Sequence, residues 1–93
     1  MPHYLVNVEF KKPAEEADLL LQKAFLERVT AEKSLLLAAM LPEKPGHGIA
    51  ILEADSKEAA IALYSEAPLA KKEIIGWTIT HLVLTYGSAL PPR

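Results

Sequence analysis

The 93-residue sequence has no cysteine. That absence removes a disulfide framework, thiolate-held zinc, iron–sulfur clusters and a thiol nucleophile at once. Carboxamides are nearly missing too: Asn7 and Gln22 are the only two. Depletion of such thermolabile side chains is a trend of thermophile proteins. No apolar run approaches the ~18–20 residues a membrane helix needs, so no membrane partner is expected. Neither charge sign dominates, with 10 Lys+Arg against 12 Asp+Glu and a net charge of −2. Without a basic excess there is no electrostatic footprint for nucleic acid. Met1-Pro2-His3-Tyr4 lacks the basic and apolar regions of a secretory leader, and a cytoplasmic location is the expectation.

What is present is apolar. Residues of the hydrophobic class make up 51% of the chain, and mean hydropathy is +0.14. A single domain of this size buries roughly 63–65% of its unfolded surface. The apolar surplus has two explanations, a Leu/Ala-rich core or a surface covered by another copy.

The pattern along the chain is readable. Tyr4, Val6, Val8 and Phe10 alternate with Leu5, Asn7 and Glu9, which predicts a strand with one well-buried face. Residues 14–32 contain no Gly or Pro and predict a long helix. Its inward arc is expected to hold Leu21, Gln22, Phe25, Leu26 and Val29. Two apolar runs, 34–39 and 49–54, predict strands on either side of a Pro/Gly loop. Asp55-Ser56-Lys57-Glu58 reads as a cap and capping box that starts a second helix, ending near Ala67 before Pro68. Lys71-Lys72-Glu73 reads as an exposed charged turn, and residues 77–86 as the last strand. Residues 1–87 are expected to form one domain, with 88–93 as a tail.

The order β-α-β-β-α-β predicts an α+β, ferredoxin-like sandwich. In it two helices cover one face of a four-stranded antiparallel sheet. The other face must meet a partner or water.

Three stretches carry a more specific likeness. They are Tyr4-Leu5-Val6-Asn7-Val8, Leu35-Leu36-Leu37-Ala38-Ala39, and the run from Gly48 through Glu58-Ala59 to Ala67-Pro68-Leu69-Ala70. Over residues 4–86 the chain resembles the YCII-related (YciI-like) family of dimeric α/β barrels. The resemblance implies a homodimer packed sheet against sheet, possible higher assembly, and a cleft between sheet and first helix. The broader superfamily holds small-molecule enzymes such as muconolactone isomerases and monooxygenases. In YCII-like proteins a first-helix histidine pairs with an acidic residue near the end of the first strand. The histidine position falls at or next to Gln22, Glu9 is the nearest acidic candidate, and Ala67 stands where the family often has aspartate. A glutamine cannot shuttle a proton; it only donates and accepts hydrogen bonds.

His3, His47 and His81 show no metal-ligand spacing, so no metal is expected. Gly46-His47-Gly48 is too short to cradle a phosphate, and no cofactor is expected. His81 shares a strand face with Trp77. If that face is also the face of Asn7 and Glu9, all four could line one concavity; otherwise they satisfy one another at an interface or meet water. Two readings follow. In one, an enzyme or binding protein uses Glu9 as acid/base with His81 assisting, while Asn7, Gln22 and Trp77 hold a small organic ligand. For Glu9 that role requires burial and a raised pKa. In the other, the chain is a non-catalytic dimeric module with a vestigial pocket.

Overall fold

In the computed structural model, which describes residues 1–87, strict alternation makes the opening segment a strand. β1 (His3–Phe10) turns Tyr4 and Val6 into the core and leaves Asn7 and Glu9 exposed on the other side. β3 (His47–Glu53) pairs with one edge of β1 and β4 (Ile75–Leu82) with the other, both antiparallel. β2 (Leu35–Met40) completes the order β2-β3-β1-β4 from the outside of β3.

β1 governs how long its neighbours are. Phe10 faces Ile75 and His3 faces Leu82, so β4 starts two residues before the expected Trp77 and stops at Leu82, four before Tyr86. Past Leu82 no β1 residue remains to pair with. Glu9 likewise draws His47 into β3, extending it into the expected loop. That loop turns at Gly46, whose φ of +81° suits glycine, and whose carbonyl accepts the Phe10 amide at 2.8 Å.

The helices lie on one face. α1 (Glu16–Ala31) begins where Asp18 accepts the Glu15 amide at 3.2 Å. α2 (Lys57–Tyr64) is capped by Ser56, whose hydroxyl accepts the Ala59 amide at 3.1 Å. The cap is therefore one residue later than the Asp55 box predicts. A short α3 (Pro68–Lys71), with Pro68 in its first turn, leads into the expected exposed turn, which Lys72 and Glu73 form. The core, with Val6, Val29 and Leu52 its largest fully buried side chains, lies between these helices and the sheet.

α1 is rotated relative to its expected arc. It buries Asp18, Gln22, Phe25 and Val29, while Leu19, Leu20 and Leu21 are exposed. Two polar contacts to the α3 segment account for this orientation. Asp18 pairs with the Lys72 ammonium, and Gln22 accepts the Leu69 amide. Lys72 thus belongs to a helix–helix fastening, not merely to a solvated turn.

This is the four-stranded, ferredoxin-like α+β fold that the order of elements predicts. The expected tail, 88–93, lies outside the described residues. Within them, no helix is long and apolar enough to cross a membrane.

Candidate functional site

Between α1 and the sheet is a cavity of about 280 Å³. Val8, Phe10 and Ile75 form its inner wall, with Gly48 and Ala50 from β3 and Ala38 and Met40 from β2. Leu19, Gln22 and Leu26 close it from α1, and Tyr64 and Leu69 from α2 and α3. Small side chains on β2 and β3 make the space. A Cβ at Gly48 would stand 3.0 Å from the Ala39 carbonyl oxygen and 3.1 Å from Met40 Sδ.

No lining residue is charged, and Gln22 and Tyr64 carry the two polar side chains. Gln22 Oε1 accepts the Leu69 amide at 3.2 Å. Tyr64 is held by its ring: Phe25 meets it edge-on with centroids 6.5 Å apart, and Trp77 lies tilted against it at 5.1 Å. Burial pushes the Tyr64 phenol up to about 12. Outside the cavity, the Lys72 ammonium and the Glu15 amide hold the Asp18 carboxyl below its ordinary value. Asp18 in turn raises Lys72.

The single concavity of Asn7, Glu9, Trp77 and His81 is corrected by strand register. Val8 faces Trp77 and Tyr4 faces His81, whereas Asn7 faces Thr78 and Glu9 faces Gly76. Residues directly opposite on paired strands share a side of the sheet. Trp77 and His81 therefore lie on the helix side, and Asn7 and Glu9 on the open side. Glu9 is solvent-exposed and pairs with Lys11 at 3.2 Å. His81 packs on Tyr4 with ring centroids 5.4 Å apart. It is six residues along β4 from the cavity residue Ile75, about 20 Å at strand rise. Of the five residues singled out from sequence, Gln22 lines the cavity and Trp77 supports it through Tyr64. No sequence pattern singles out Tyr64; its place at the cavity depends on contacts from α1 and β4. Among the described residues, no cluster of three or more His, Asp or Glu could hold a metal ion.

Comparison with known proteins gives the fold. No protein-family model matches the chain, and no curated protein matches its sequence. Among solved structures, a muconolactone isomerase superposes with a TM-score of 0.74 at 14% identity, covering 97% of both chains. The 5-chloro-2-hydroxyhydroquinone dehydrochlorinase of Burkholderia phenoliruptrix AC1100, complexed with 2,5-dihydroxybenzoquinone, gives 0.65 at 10% identity, covering 91% of this chain and 95% of that one. An antibiotic biosynthesis monooxygenase gives 0.61 at 17% identity, covering 92% and 100%. At these identities the likeness establishes the fold alone.

Proposed function

We propose that this chain is a homodimeric α/β barrel protein of YCII-like type that binds a small organic molecule between the sheet and α1. The observation that carries this reading is Gln22, a buried carboxamide bordering an otherwise aliphatic and aromatic cavity. A few placed polar groups on an apolar wall are what a small-ligand site needs. The volume, just under the roughly 300 Å³ typical at the low end of ligand pockets, suits a compact molecule. Leu69 and Phe10 line the space instead of filling it, which favours a working pocket over a vestigial one. The muconolactone isomerase and the dehydrochlorinase are small-molecule enzymes by their names, in keeping with such a ligand.

Gln22 orients the ligand by hydrogen bonds and transfers no proton. Glu9 and Asn7 belong to the second part of the proposal. The open face carries Leu5, Leu37, Ile49 and Ile51 at its centre, with Asn7, Glu9, Thr78 and Thr80 around them. A second copy covers that face. The pocket is tested by titrating para-cresol into the full chain while following backbone amides by NMR. Saturable shifts at Gln22, Leu26 and Leu69 are the expected result. Shifts confined to the open sheet face, or none at millimolar ligand, would overturn the pocket.

A further inference from the structure

We infer that the cavity selects uncharged, largely apolar compounds bearing a carbonyl-type oxygen, which Gln22 and Tyr64 recognise as hydrogen-bond donors. This inference rests on the ligand-binding reading above and names the ligand class. Gln22 is 8% exposed, and its Oε1 is committed to Leu69 N at 3.2 Å. A backbone N–H can only donate, so the carboxamide cannot be flipped without leaving that amide facing another donor. Nε2 is therefore the free end, and it donates to no described residue. Tyr64 is 4% exposed and borders the same cavity. Its hydroxyl, too, has no partner among the described residues.

Neither group is sealed away. Among the described residues, no buried side-chain nitrogen or oxygen lacks a hydrogen-bond partner. Both unpartnered atoms thus keep access to open space, and the cavity is the space their residues share. A ligand oxygen that meets these donors recovers the bonds that an apolar enclosure otherwise denies them. The walls also define what is refused. No lysine, arginine or histidine lines the cavity, so a carboxylate entering it would lose its hydration with no cation to compensate. With its phenol pushed up to about 12, Tyr64 remains a donor throughout the neutral range.

The test compares three matched probes, indanone, indane and indane carboxylate, titrated into the full chain and followed by NMR at Gln22 and Leu69. Indanone is expected to bind about 10-fold more tightly than indane, and the carboxylate more weakly than indanone. Gln22→Leu and Tyr64→Phe should each weaken indanone by about 3- to 10-fold and leave indane unchanged. Tyr64→Phe deletes only an unpartnered hydroxyl, so it carries the test alone if Gln22→Leu does not fold. Equal binding of indanone and indane overturns the donor assignment but leaves the cavity as a binding site. A ketone preference left undiminished by Tyr64→Phe, or by both substitutions where both fold, has the same consequence. Carboxylate binding as tight as the ketone's overturns the selection for uncharged ligands. Failure of all three probes at millimolar concentration overturns both the inference and the reading beneath it.

Discussion

Tyr64 has a role in the core and another at the cavity. Its ring joins Phe25 to Trp77, while its hydroxyl finds no partner among the described residues. The phenol's rise from 10.0 to about 12 makes stability pH-dependent in alkali. The unfolded chain releases this proton near the ordinary tyrosine value, whereas the folded chain retains it until about 12. Stability is therefore unaffected by this group below about pH 10 and falls as pH rises from there towards 12. The loss should be on the order of 2 kcal/mol across that window. Urea unfolding of the native chain and Tyr64→Phe at pH 9 and pH 11.5 isolates the contribution. The native chain should lose more stability than the variant, and equal losses would remove the assignment. Gln22 was conspicuous in sequence as one of two carboxamides. Tyr64 was not, because a tyrosine on an amphipathic helix is ordinarily core, and only the packing of α1 and β4 around it reveals its cavity edge.

At the scale of elements, two helices end without a glycine in the left-handed position. α1 ends with Lys33 at φ 64°, its amide bonded to the Thr30 carbonyl and the Ser34 amide to Val29. α3 ends with Glu73 at φ 56°, with matching bonds from Glu73 to Ala70 and from Ile74 to Leu69. Both are Schellman turns with a branched-off Cβ in the left-handed region, where glycine is usual. Lys33 is exposed, so its side chain has little packing to lose. Lys33→Gly should stabilise the protein by about 0.5–1 kcal/mol in urea unfolding. A neutral or destabilising result would mean that the lysine side chain contributes more than its backbone strain costs. The order of elements was legible from their periodicities. The short α3 was not, since four residues around a proline offer no period to detect.

For the whole molecule, the proposed dimer rests on the sheet face opposite the helices. Ile51 faces Leu5 on β1 and Leu37 on β2, giving an apolar row across three strands. Sedimentation at micromolar concentration should give twice the 10.2 kDa of one chain. Ile51→Glu should reduce it to 10.2 kDa with its circular dichroism unchanged, since the substituted position faces away from the core. A native chain that already sediments as one 10.2 kDa particle would remove the dimer.

By itself the sequence determined the class of fold: β1's alternation, α1's uninterrupted helix formers and the Ser56 region mark elements through local sterics and hydrogen bonding. It also marked Gln22, by composition. Only the tertiary structure decided which residues meet. Strand pairing is non-local, and a shift of one residue exchanges the two faces of a sheet. The observed register, with Val8 opposite Trp77, separates Asn7 and Glu9 from the helix-side cavity. The rotation of α1 was settled the same way. Asp18 and Gln22 find partners on a segment about fifty residues downstream, at Lys72 and Leu69, and those bonds turn two polar residues inward while three leucines face out.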